Sequence, residues 1–268
     1  MAIDIRPTVR RRIGRISTYV VFLVIVILLI IFADWKTIGQ YFFNLNIAAK
    51  LWPGVLRSAL NTIVYTLVSF SIGLVLATVL ALMKMSFGPF KYFAVGFIEF
   101  FRGVPALLTI FAMGLAVPIA FQGAWIVKNF PLGTLGWGLV GLVLVTGAYT
   151  SEIIRAGIVA VPRGQTEAAR SLGMSPMRTT VTVVLPQAFR IVIPPLTNEL
   201  VTLLKDTSLL FIIGATRFTK ELTMFGRDGV TTYASGTPLI VVAVLYLIIT
   251  IPLTYLVSRL EKRMAVRQ

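Results

Sequence analysis

The sequence predicts an all-α membrane protein with six transmembrane helices, and three observations carry that reading. Hydrophobic residues make up 57% of the 268 and mean hydropathy is +0.90, too apolar for a soluble domain of this length. Six apolar runs, at about residues 16–33, 56–83, 93–121, 135–161, 191–215 and 238–257, are each long enough to cross a roughly 30 Å hydrocarbon layer as a helix. The basic residues are also unevenly shared. Sixteen Lys and Arg fall at the two termini and in the connections on their side, and seven fall in the opposite connections. The positive-inside rule then places both termini and the loop after Pro162 in the cytoplasm.

Residues 1–15 carry Arg6, Arg10, Arg11, Arg12 and Arg15 and read as a basic cytoplasmic N-terminus. A secretory signal peptide would share this pattern, but no small-x-small cleavage site follows; the run ends Phe32-Ala33-Asp34-Trp35. Residues 16–35 are therefore expected to be an uncleaved first helix with Trp35 at the interface. Residues 34–56 read as a polar and aromatic connector. The rest of the chain, 56–259, reads as one membrane domain with a cytoplasmic loop at 162–190, followed by a tail at 260–268. Gly103 and Pro105 should break the third span, and Pro131, Gly133 and Gly136 mark a turn-rich external hairpin. The second external connection, 216–236, holds Arg217, Lys220, Glu221, Arg227 and Asp228, a composition that suits either a docked soluble partner or solvent.

Several chemistries are excluded. The chain has no Cys and no His, which removes disulfides, thiolate nucleophiles, structural zinc and histidine acid–base catalysis. It has no phosphate-binding loop of its own. The formal charge of +15 reflects topology and lipid contact, because no soluble basic domain exists to bind nucleic acid. No metal site and no catalytic residue are expected.

Residues 162–204 form the only long segment that is polar, charged and punctuated by helix breakers. Residues 165–172 supply about two turns of good helix formers, and Gly173 suits the left-handed position that ends a helix. Ser175 is placed to cap a second helix that has Pro176 in its first turn. That helix should run to Leu185, stop at Pro186, and carry Val181, Val184, Leu185 and Ala188 on one side.

Glu167-Ala168-Ala169, three residues, Gly173, nine residues and Val183-Val184-Leu185-Pro186 together resemble the cytoplasmic loop of ATP-binding-cassette (ABC) importer permeases. The stretch 149–157 (YTSEIIRAG), Arg163-Gly164-Gln165, Leu185-Pro186-Gln187-Ala188, 194–199 (PPLTNE), 205–209 (KDTSL) and Arg102-Gly103-Val104-Pro105 narrow the resemblance to the polar amino-acid permeases, over about residues 58–259. It implies a type I importer permease core of five helices, to which the first run is an addition. It also implies that residues 166–173 form a coupling helix seated on a separate ATPase, with Gln165, Glu167, Ala168, Ala169, Leu172 and Gly173 at that contact. The implied partners are a second permease, identical or homologous, ATPase subunits that bind ATP and Mg, and an extracytoplasmic amino-acid-binding protein. The implied location is a bacterial plasma (inner) membrane.

Four of the ten acids, Glu99, Glu152, Glu199 and Asp206, lie in apolar spans together with Arg102 and Lys205. A charge at a helix centre costs about 2.5–3.5 kcal/mol on insertion scales, so each must face a partner or water. Glu99 with Arg102 and Glu152 with Arg155 have the i, i+3 spacing of structural pairs, and their location equally suits a gate. Asn198 and Glu199 lie in the cytoplasmic half of the fifth span, with Lys205-Asp206-Thr207-Ser208 near its middle. Four consecutive polar side chains point around most of a helix and cannot all satisfy one neighbour. The expected lining of a transport path is therefore Arg102, Glu152, Asn198, Glu199, Lys205, Asp206, Thr207 and Ser208, with Glu152 as the expected partner of Lys205.

These readings converge on the translocation subunit of an ATP-driven importer. The main alternative is an ion-coupled secondary transporter that uses the intramembrane carboxylates. A membrane hydrolase built on Ser151 or Ser208 would have only Lys205 as its base. The topology is directly testable. Reporters fused after Arg12, within residues 175–180 and after Gln268 are expected to read as cytoplasmic, and those near Asp34, Asn129 and Arg227 as external. A cytoplasmic signal at Asn129 would overturn the six-span assignment.

Overall fold

The computed structural model describes residues 7–265, and all regular elements among them are helical. The first helix, α1 (Pro7–Phe32), stands apart, with the residues of its apolar stretch exposed along its length. The connector after it folds as two short helices, α2 (Trp35–Phe42) and α3 (Leu45–Lys50), capped by Asp34 and Asn44. The Trp35 indole donates to the Ile30 carbonyl at 2.7 Å, which fixes the turn out of the first span.

α4 (Gly54–Met85) and α9 (Thr134–Val159) are the central pair. Both run in the same direction, because Gly73 meets Thr146 near the middle and Lys84 meets Glu152 further along. Small residues allow the approach. A Cβ on Gly147 would lie 2.7 Å from Leu76, and one on Gly157 would lie 2.0 Å from Val192. Without a hydrophobic driving force between helices in lipid, this close packing is what holds the bundle. Tyr65, Ile110, Leu142, Leu203 and Leu210 form the buried cluster at its centre.

The third span is two helices rather than one. α5 (Pro89–Gly103) packs Ala94 and Ile98 on Leu80 of α4. It then meets α6 (Ala106–Phe111) at a bend of 104°. The bend falls at Val104-Pro105, where the residue before proline is held extended at ψ 133°. A π turn (Ala112–Ala116) carries α6 into α7 (Val117–Ala120) and the hairpin with α8 (Trp125–Lys128).

After α10 (Arg163–Ser171), α11 (Pro176–Thr179) passes through a second π turn (Thr180–Val184) into α12 (Leu185–Asp206). The expected stop at Pro186 is absent. Pro186 lacks an N–H, and in an α-helix its ring would crowd the carbonyl four residues back. The π turn just before it widens the ladder at that point, and the Gln187 side chain donates to the Val183 carbonyl at 3.0 Å. Pro118 follows the other π turn in the same way. Thr180–Val184 also shifts the helical register. Val181 turns out of the expected apolar line and is exposed, while Ala188 is buried and Val184 and Leu185 are half-buried. The span Pro176–Ile212 thus runs as one continuous helical rod of 37 residues, with Pro194 and Pro195 inside it.

A 3₁₀ turn (Thr207–Ile212) leads to α13 (Leu222–Tyr233) and then to the last span, α14 (Thr237–Ala265). The connection at 216–236 is stitched to α4 rather than left in solvent. Asn61 donates to the Phe218 and Lys220 carbonyls, Tyr65 donates to the Thr219 carbonyl, and Thr62 accepts from the Leu222 amide. Glu221, only 2% exposed, caps α13 by accepting from the Thr223 and Met224 amides, and Tyr246 of α14 donates to it at 3.3 Å. Burial pushes this carboxyl up to about 7, against the opposing pull of the two amides and the tyrosine. A raised native pKa means the folded chain holds this proton more tightly than the unfolded chain. The stabilisation is complete below the unfolded value near 4.5 and is lost as pH rises through about 7. Glu221→Gln removes the titration, so its melting temperature relative to wild type should rise by about 5 °C between pH 5 and pH 8. A pH-independent difference would show that Glu221 does not hold its proton.

Candidate functional site: coupling loop, clasp and polar stripe

The loop after Pro162 begins with α10, which starts at Arg163, three residues before the expected Thr166; Gly164 lies inside its first turn. Its end matches expectation. Gly173 has φ +81°, the Met174 amide donates to the Ala169 carbonyl, and the Gly173 amide donates to the Arg170 carbonyl. This is the Schellman stop. The Arg170 guanidinium adds a bond to the Met174 carbonyl, and Ser175 caps α11 by accepting from the Arg178 amide. Of the six expected contact residues, Gln165, Glu167, Ala168, Leu172 and Gly173 are exposed, while Ala169 is buried and anchors the helix. Leu172 is 84% exposed and Met177 73%. The loop therefore leaves two large apolar side chains, Leu172 and Met177, exposed beside its helix stop.

The charges in the spans separate into three groups. Glu152 is the centre of a clasp: Lys84 of α4 reaches Oε1 at 2.7 Å and Arg155 reaches Oε2 at 3.0 Å. The i, i+3 pair of Glu152 and Arg155 therefore forms, but Lys205 is not Glu152's partner; Lys84 is. Lys205 projects from α12 and lies in an ion pair with none of the described carboxylates, whereas the parallel packing of α4 on α9 delivers Lys84. Glu99 and Arg102 do not pair. Glu99, 67% exposed, turns toward Lys84 at 4.0 Å. Arg102 lies at the 104° bend and places its guanidinium 5.4 Å from the Tyr149 ring centre. Tyr149 also donates to the Arg102 carbonyl at 3.4 Å.

The third group is a stripe on α12. Asn198, Thr202 and Lys205 follow i, i+4, i+7 spacing and are exposed, and Glu199 and Asp206 lie beside them, seven residues apart and half-buried. Asn198 donates to Glu261 of α14 at 3.0 Å. Among the described residues, Glu199, Lys205 and Asp206 have no oppositely charged side chain within ion-pair distance. Thr207 is buried and donates to the Leu204 carbonyl, so it serves the helix end; Ser208 is half-buried in the 3₁₀ turn. Thr202 is the stripe residue that sequence reasoning missed, and its position one turn from Asn198 was the available signal. Lys84 was missed because its number places it in a cytoplasmic connection.

Comparison with known proteins places the chain in a family. The chain matches the family described as "Binding-protein-dependent transport system inner membrane component" over residues 70–266. It is 36% identical over 226 residues to the arginine transport system permease protein ArgU of Corynebacterium glutamicum, covering 81% of this chain and 67% of that one. It is 33% identical over 205 residues to the probable glutamine ABC transporter permease protein GlnM of Bacillus subtilis, covering 76% and 90%. The crystal structure of an amino acid ABC transporter with histidines superposes with a TM-score of 0.71 at 34% identity, over 81% of this chain and 96% of that one. The chain therefore belongs to the binding-protein-dependent transport system inner membrane components: it is the non-catalytic, multi-pass inner-membrane permease subunit of an ABC importer, similar to amino-acid permeases and working with a separate ATPase that binds the ATP and with a substrate-binding protein.

Proposed function

We propose that this permease forms the pathway by which a polar amino acid crosses the membrane, as one of a pair with a second copy or a homologous permease. The observation that carries the proposal is the α12 stripe. It sets Lys205 next to Asp206 and Glu199 on a membrane-spanning helix, with no partner charge among the described residues. Unpaired charges at that depth need water or an oppositely charged solute. A zwitterion offers an ammonium group for the carboxylates and a carboxylate for Lys205. The amino acids named for the similar permeases, arginine and glutamine, are consistent with such a substrate.

Coupling follows from the continuity of the chain. α10 is fixed to the start of the Pro176–Ile212 rod through the Schellman stop and the Ser175 cap. At 1.5 Å per residue the rod is about 55 Å long, so a displacement at its cytoplasmic end is delivered to the stripe without an intervening hinge loop. Closure of the ATPase dimer on ATP would push α10, open the pathway outward to the binding protein, and reset after hydrolysis. An ion-coupled cycle would leave the exposed Leu172 and Met177 face without a role.

Two variants test the two halves. Gly173→Val forces a β-branched residue into the left-handed region, costing about 1–2 kcal/mol locally. It should insert normally yet lose most ATPase stimulation; normal transport would remove the loop from the coupling role. Lys205→Met and Asp206→Asn should assemble with the ATPase. Adjacent residues project about 100° apart, so one of the two should lower uptake into vesicles at least tenfold more than the other. Uptake unaffected by both would place the substrate elsewhere.

A further inference from the structure

The external side of this protein should be poor in Lys and Arg, yet four of them line a single cavity there. Lys50, Arg57, Arg217 and Lys220 border a recess of about 960 Å³ between the start of α4, residues 217–220 and α13. Asp228 is the one acid on its wall, and it pairs with Lys220. Among the described residues, Lys50, Arg57 and Arg217 lie in no ion pair. Arg57 is held in place from below, its guanidinium 4.7 Å from the centre of the Phe218 ring. The wall therefore keeps an excess of positive charge, and an aromatic face fixes at least one of the cations.

The other half of the wall is apolar and faces outward. Trp52, Leu56 and Leu60 line it, with Leu60 60% exposed. Leu60 begins an exposed apolar line that continues down α4 through Val64, Val68, Ile72 and Val75 at helical spacing. Arg57 sits about one turn into α4, at the outer end of that line. The recess thus joins an anion-binding end to an apolar track running into the hydrocarbon layer.

We propose that this recess binds an anionic phospholipid, with the phosphate at Arg57 and Arg217 and an acyl chain laid along Leu60 and Val64. An acidic protein surface would satisfy the cations at the rim but would leave Leu56 and Leu60 uncovered, and a free phosphate would have no use for the track. A basic site beside a membrane helix is the arrangement that attracts lipid headgroups. Such a lipid would also bridge two parts of the fold, since Arg57 belongs to α4 and Arg217 to the connection that leads from α12 to α14. Its occupancy would hold that connection against α4.

The test uses the whole transporter, permease with its ATPase, purified in mild detergent, with retained lipid read by native mass spectrometry. Added phosphatidylglycerol should be retained by wild type at least tenfold over phosphatidylcholine. Arg57→Gln/Arg217→Gln should lose that preference, whereas Lys128→Gln, an external basic residue outside the recess, should keep it. Leu60→Asn leaves every cation in place and should also weaken retention, which keeps the proposal testable if the double variant folds poorly. Inorganic phosphate at 20-fold excess over lipid should not displace phosphatidylglycerol; full displacement would overturn the lipid in favour of a soluble anion. Equal retention of both lipids by wild type would overturn it outright. So would a double variant that keeps its phosphatidylglycerol and loses only stimulation by the binding protein, because the recess would then face a soluble partner. The readout is lipid rather than uptake, so an error in the proposed substrate leaves the outcome unchanged.

Discussion

Close approach to α9 is the constraint on which the rest of the bundle depends. At successive levels this helix offers glycine where a neighbour arrives: Gly138 to Ile213, Gly141 to the backbone at Ile110, Gly147 to Leu76 and Gly157 to Val192. In lipid the gain from association is contact density and not the removal of apolar surface from water. A side chain at Gly141 would meet backbone and force α9 away from Ile110, whereas at Gly138, Gly147 and Gly157 it would displace the side chain packed there. The position of α4 against α9 is also what brings Lys84 to Glu152. The electrostatic arrangement around Glu152 is thus a consequence of packing.

The intramembrane and buried charges then divide by whether the fold satisfies them. Glu152 receives two cations, and Glu221 receives two amides and a tyrosine hydroxyl. The α12 stripe is left over. Among the described residues, Glu199, Lys205 and Asp206 receive no opposite charge.

Local signals in the sequence proved readable. Gly173 ends its helix through backbone geometry that neighbours cannot change, and Ser175-Pro176 starts the next for the same reason. The break at Val104-Pro105 was legible as well, since proline restricts the residue before it. Pairings across helices were not. Whether Glu152 meets Lys84 or Lys205 depends on the relative height of three helices, which no local pattern states. Pro186 was misread because a proline argues for a stop only while the ladder remains α-helical, and the π turn before it is invisible in composition. Glu221 read as one charge of a connection suited either to a docked soluble partner or to solvent. Its burial depends on Thr62, Tyr65 and Tyr246, which lie far away in the chain.

The clasp has an electrical consequence. Lys84 and Arg155 carry two positive charges, Glu152 and the nearby Glu99 two negative ones, so the group is neutral as a set. Moving a net charge through the membrane potential costs about 2.3 kcal/mol per elementary charge per 100 mV. A neutral set moving as a unit exchanges no such work with the field. The ends of α4, α5 and α9 that carry this set can therefore shift together in an energised or a depolarised membrane with no such work from the four clasp charges, which leaves Arg102 and the α12 charges as the intramembrane groups exposed to the potential.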